Sequence, residues 1–258
     1  IVLAVVSVLA AGAYLLWLYM IRDAQTISSQ LYGQMLEGDF NALARQVGGS
    51  SNEQSNPNTR DTELSARAFL TFTAGGTEER VEAIGIARDR YNKAETSLNR
   101  TLALNQILQF VVSDRTEAVF DEVFQKPPFD AFYRDGYAAS IAALAEESYR
   151  LHPTVTAAGF SLFEHYLALV EASEGRVLSE EEKAQHVDAI VKGFARVEEG
   201  YATDLTITSR DLAEIVPYAG AIWRADLYGA VARVDPTYIP KAEQNFELIF
   251  TYYESKKN

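Results

Sequence analysis

His152, His165 and His186 are the chain's only imidazoles, and no cysteine accompanies them. A metal centre on a helix needs His, Asp or Glu at i and i+3 or i+4, or ligands converging from several helices. Glu164 directly precedes His165, so the two side chains leave a helix in different directions. His152 falls where a helix should end, a place in which an imidazole complements the helix dipole. His186 lies in a charged stretch. Each reads as a structural histidine at the surface or half-buried. The adjacent acids Glu146 and Glu147, Glu180 to Glu182, and Glu198 and Glu199 read as solvated faces and helix N-termini. There is no phosphate-cradling Gly-rich loop ending in Lys-Ser/Thr, no nucleophile elbow and no HExxH. The sequence implies no enzyme, no metal and no cofactor.

Aromatic residues offer a different chemistry, that of docking. The chain carries 14 Tyr and 13 Phe, and most fall on helical stripes, where packing accounts for them. The group nearest the end, Phe246, Ile249, Phe250, Tyr252 and Tyr253, is the best candidate for a protein-docking face, since no later helix follows to cover it. The formal net charge is −13. Such a surface repels a nucleic-acid backbone, so no nucleic acid is expected as a partner. An anionic leaflet would repel it too.

The elements that must carry these residues begin with an apolar run. Residues 1–21 read IVLAVVSVLAAGAYLLWLYMI, with no charge before Arg22. At 1.5 Å per residue the run is about 32 Å long, enough for the hydrocarbon core of a bilayer. Leu3, Val6, Leu9, Leu15 and Leu16 would face lipid, and Trp17 and Tyr19 would form the interfacial belt. A signal-peptide core is shorter and is followed by a small-residue cleavage site. A buried core helix would show a polar face. Residues 1–22 are therefore expected to be a single transmembrane helix, with the lipid bilayer as a partner. No second run of this length exists, so the chain reads as single-pass. The excess of acid over base beyond the span favours a soluble domain outside the cytoplasm. The first residue is Ile1 rather than Met, which reads as either processing or a start lying further upstream.

Gly, Pro and polar clusters divide the remainder into helical pieces. Residues 23–47 read as juxtamembrane helices, with Asp39 capping FNALARQV. Residues 48–60, GGSSNEQSNPNTR, read as a flexible loop, and residues 61–258 as an α-helical, repeat-like soluble domain. Asp61 opens a helix that Gly75 and Gly76 stop. Thr77 is expected to cap a long helix reaching Ser113, bent near Asn99. TEAVFDEVF stops at Pro127 and Pro128. Helical spacing predicts helices over 129–151 and 154–172. Ser179 and Glu182 make a capping box. Residues 209–216 and 218–234 are expected to be a helix pair broken at Pro217, and Pro240 sits in the first turn of the last helix. Only LTIT at 205–208 hints at a strand. The fold class is all-α.

Several segments resemble tetratricopeptide-type repeats. LYGQMLEGDF, residues 31–40, is similar to the end of a repeat's first helix and its turn, with Leu43 standing where the family usually has a small residue. AALAEESYRLHP and ADLYGAVARVDP, ending at Pro153 and Pro236, resemble the end of a second helix, and AFLTFTAGG at 68–76 is a third unit. The two Pro-terminated segments lie 83 positions apart, off the family's 34-residue period. The resemblance implies a stack of helix hairpins with a concave protein-binding groove; a helical bundle is the other architecture this punctuation allows.

Anchor, helical pattern and missing catalytic motifs together predict a membrane-anchored scaffold or accessory subunit. It would bind other protein subunits in a homo- or hetero-oligomer at the cell envelope. A pilus-like subunit would also start on an apolar helix, although Val5 stands where typical bacterial type IV pilins carry Glu. An extracytoplasmic sensor would usually return through the membrane.

Overall fold

The computed structural model describes Leu31 and residues 40–48, 60–207 and 216–255. The anchor residues Leu3, Val6, Leu9, Leu15, Leu16, Trp17 and Tyr19, and residues 49–59 of the expected loop, lie outside the described residues. Among the described residues the chain is all-α and has no strand. No helix among them is long and apolar enough to cross a membrane.

The chain divides into two compact units, residues 1–86 and 87–258. In the first, α1 (Phe40–Gly48) packs on α2 (Arg60–Ala74). Leu31, Leu43 and Ala66 are fully buried there, with Val47, Phe69 and Leu70 around them. Leu43, out of pattern for a tetratricopeptide repeat, is a core residue. At the Gly75-Gly76 stop, Glu79 reaches back so that the Gly76 N–H donates to its Oε2 at 2.9 Å. Helix α3 (Thr77–Lys93) therefore begins at Thr77 itself, with the glutamate supplying the cap expected from the threonine.

The second unit holds the last residues of α3 and the remaining helices. The helix expected to run from 77 to 113 is two helices. It breaks at 94–96, where Thr96 Oγ1 accepts from the Asn99 N–H at 3.1 Å and starts α4 (Ser97–Ser113). A threonine that can cap competes with the helix interior for its own backbone, so the chain breaks there rather than bending at Asn99. Helix α5 (Glu117–Phe124) follows. The predicted helix over 129–151 is shorter than expected. Phe129–Phe132 form a 3₁₀ turn, and α6 (Tyr137–Leu151) starts after Gly136, whose φ of +124° a helix cannot contain.

The predicted helix over 154–172 is likewise two: α7 (Val155–Ser161) and α8 (Phe163–Ser173), joined at Leu162. Then come α9 (Glu180–Ile207), α10 (Val216–Ala232) and α11 (Ile239–Ser255), with a 3₁₀ turn at Pro236–Tyr238 before the last. Residues 205–207 of the strand candidate are helical, and residue 208 lies outside the described residues. Pro217 lies within α10 as it is described from Val216 on, and residues 209–215 of the expected helix before it lie outside the described residues. The Ser179–Glu182 capping box forms as expected, with the Ser179 N–H donating to Glu182 Oε2 at 2.8 Å and the Glu182 N–H to Ser179 Oγ at 3.2 Å.

Two glycines let α9 come close to the start of α7 and to Leu162. A Cβ on Gly200 would stand 2.5 Å from the Thr154 carbonyl, and one on Gly193 would stand 2.4 Å from Leu162 Cδ2. Seven residues apart, the two lie on one face of α9. That face runs along α7 and the Leu162 joint. Asp204, one turn beyond Gly200, reaches the start of α7, where its Oδ2 accepts from the Val155 N–H at 2.9 Å.

A polar seam fixes how α4, α6 and α7 meet. Asn105 Nδ2 donates to Thr154 Oγ1 at 3.0 Å, Ser148 Oγ donates to Asn105 Oδ1 at 2.9 Å, and Thr101 Oγ1 donates to the Ser148 carbonyl at 3.0 Å. All four residues are buried, so each bond compensates a desolvated polar group. From α4 to α11, the described helices that pack together lie within three helices of one another along the chain.

Candidate functional site

Helix α11 packs against α10 and the 3₁₀ turn at Pro236–Tyr238. Its sequence is amphipathic, but its apolar arc is wider than those neighbours cover. Ala242 and Asn245 are buried and Ile249 and Tyr252 half-buried. Ile239, Phe246 and Phe250 are 43%, 44% and 70% exposed. Spaced at i, i+7 and i+11, these three fall on one line along the helix. Exposed Glu243, Glu247 and Glu254 follow at i+4 from Ile239, Glu243 and Phe250, and so border that line on one side. Leu248, 53% exposed, lies on the opposite side of the helix, beyond the face that Ala242, Asn245 and Ile249 turn to the neighbours.

The five residues proposed from sequence thus separate. Phe246 and Phe250 present their rings to solvent; Ile249 and Tyr252 turn partly toward the neighbours; the side chain of Tyr253 lies outside the described residues. Ile239 joins the exposed line and sequence reasoning missed it. Its signal was present, as it stands seven residues before Phe246.

A groove of about 630 Å³ in the second unit has Arg134, Glu146, Glu147, Tyr149, Arg150 and Arg196 in its wall. Two of its arginines pair with its glutamates, while Arg134 donates to the Ala131 and Tyr133 carbonyls at 3.1 and 2.8 Å. Arg196 forks onto Glu146 at 2.5 and 2.8 Å, and Arg150 onto Glu147 at 2.8 Å through two nitrogens. The Arg196 guanidinium also covers the Tyr149 ring at 4.2 Å. Burial, then the Glu199 carboxylate that accepts its hydroxyl at 2.5 Å, push the Tyr149 phenol up to about 12. The groove's two glutamates are thus each taken up by an arginine, and the Arg134 charge is not matched by an acid of the wall.

The histidines do what their sequence spacing hid. His165 on α8 and His186 on α9 meet with Nδ1 atoms 2.9 Å apart and ring centroids 5.2 Å apart. One Nδ1–H donates and the other nitrogen accepts. Burial first, and the neighbouring His186 second, hold the His165 pKa below the ordinary imidazole value. The sequence signal was their near-equal distance from the 174–179 turn, which antiparallel packing brings level. His152 is the residue that ends α6, as expected, but it is its backbone N–H, not its imidazole, that bonds the helix, at the Ser148 carbonyl. Among the described residues, no group of three or more His, Cys, Asp or Glu side chains is placed to hold a metal.

No protein-family model matches this chain, and no curated protein or solved structure matches it either.

Proposed function

We propose that the chain is a membrane-anchored scaffold or accessory subunit, with its helical part outside the cytoplasm, that binds a partner protein through α11. The single observation that carries this reading is the line Ile239, Phe246 and Phe250, exposed on a helix covered on one side. Scattered exposed apolar residues are ordinary, but a continuous line on one helix is the form a helix-docking face takes. Its acidic border of Glu243, Glu247 and Glu254, on a chain of net charge −13, suits a partner helix with an apolar stripe and basic flanks. Within the second unit, packing of α4 to α11 against near neighbours in sequence supports a tetratricopeptide-like stack over a bundle, since solenoid repeats contact chiefly their neighbours. The uncharged run at 1–21 supports the anchor.

The test is co-purification from detergent-solubilised native membranes, comparing the wild type with a Phe246→Glu, Phe250→Glu variant. Each ring buried in a docked interface contributes about 1.5–3 kcal/mol. The double variant should therefore lose its partner while keeping a wild-type circular dichroism spectrum. Recovery of the wild type as a lone monomer, or a partner retained by the variant, overturns the proposal.

A further inference from the structure

The meeting of His165 and His186 across α8 and α9 has the dimensions of a chelate. With metal–nitrogen bonds of about 2.0–2.1 Å, two nitrogens at a right angle stand about 2.9 Å apart, and at the tetrahedral angle about 3.3–3.4 Å apart. The observed Nδ1–Nδ1 separation is 2.9 Å. We infer that His165 and His186 form a two-imidazole site for a divalent first-row transition metal of tetragonal preference, Cu²⁺ or Ni²⁺, bound in cis through both Nδ1 atoms.

Both rings are half-buried rather than sealed, so solvent reaches them and water can fill the remaining positions. Rotation about Cβ–Cγ, a soft torsion in histidine, swings the two lone pairs from the hydrogen-bond line to a common point. The proton balance is neutral when both rings are uncharged. The donor ring loses its Nδ1 proton to solvent and takes one up at Nε2, and the metal occupies both vacated lone pairs. Two carboxylates lie close enough to feel these rings: Glu164 beside His165 and Glu182 one turn before His186. Their charge favours a cation without ligating it, Glu182 being held by Ser179 in the capping box. A metal here ties α8 to α9 and stabilises the folded form by mass action. Affinity should follow the order Cu²⁺ > Ni²⁺ > Co²⁺.

The experiment uses the tag-free full chain in detergent micelles with histidine rings isotopically labelled. Three histidines give three sets of ring signals. Substoichiometric Cu²⁺ should broaden the His165 and His186 signals and spare His152, and Cu²⁺ resonance spectra should show two equatorial nitrogens at one metal per chain. His165→Asn and His186→Asn, each keeping a hydrogen-bonding group near the Nδ1 position, should weaken Cu²⁺ binding by about tenfold or more; His152→Gln should not. Equal broadening of all three histidines, no broadening at all, or undiminished affinity in both asparagine variants overturns the inference. The ring-signal experiment needs no variant, so a substitution that impairs folding leaves the site decidable.

Discussion

Replacing Asp204 by Asn should make the protein more stable at neutral pH and leave it unchanged in acid. Burial pushes the Asp204 carboxyl up to about 6, overcoming the lowering effect of the Val155 N–H that donates to it. Against an ordinary value of 3.8, that rise of roughly two units corresponds to about 3 kcal/mol at most. A pKa raised in the folded state contributes stability that is complete below the unfolded value. That contribution is lost as pH climbs through the folded one. Wild-type stability should therefore decline between about pH 4 and pH 6. Asparagine keeps an oxygen to accept from Val155 and carries no charge to desolvate. The opposing effect is the α7 dipole, which favours an anion at its N-terminus by about 0.3–1 kcal/mol. A helix of seven residues cannot outweigh the burial. Urea unfolding at pH 4 and pH 7.5 measures the difference directly. A variant less stable than wild type at pH 7.5, or a wild-type profile flat across this range, would refute the reasoning and assign the carboxylate a net stabilising charge.

Two further substitutions follow from the packing. Gly200→Ala places its Cβ against the Thr154–Val155 backbone, which cannot yield without moving α7. Denaturant melts should show a loss of roughly 1–3 kcal/mol. Gly193→Ala meets the far end of the Leu162 side chain instead, so rotation of Leu162 and the helix-propensity gain of about 1 kcal/mol should hold its cost well below that of Gly200→Ala. Glu122→Gln tests the ion cluster linking α3 and α5. Burial opposes ionisation of Glu122, but the bonds from Lys126 and Arg88 prevail and hold its pKa below the ordinary carboxylate value. Its contribution is present above the unfolded pKa and is lost as pH falls through the folded one. The variant should cost roughly 1.5–3 kcal/mol near neutrality, with the gap closing in acid, the reverse of the slope at Asp204.

Local chemistry made much of this protein legible in its sequence. Helical periodicity with no strand pattern was enough for the all-α class, because the 3.6-residue repeat is a property of one segment and its buried face. The Ser179–Glu182 box, the Gly75-Gly76 stop and the Pro240 first turn were readable for the same reason: each is satisfied by backbone groups within four residues. The exposed rings of Phe246 and Phe250 belong to a segment singled out from sequence by its cluster of aromatic residues.

Tertiary structure decided the rest. Thr96, Gly136 and Leu162 divide three segments whose periodicity runs on unbroken, since a stripe of apolar residues does not record where the backbone bends to follow a neighbour. Gly200 and Gly193 are the positions where α9 comes against the start of α7 and the Leu162 joint, which no spacing in the sequence marks. His165 and His186, ordinary when each is read on its own helix, become a pair only when the turn at 174–179 folds α8 back against α9. A meeting of side chains 21 residues apart depends on the angle and register between two helices, and those are set by the packed core.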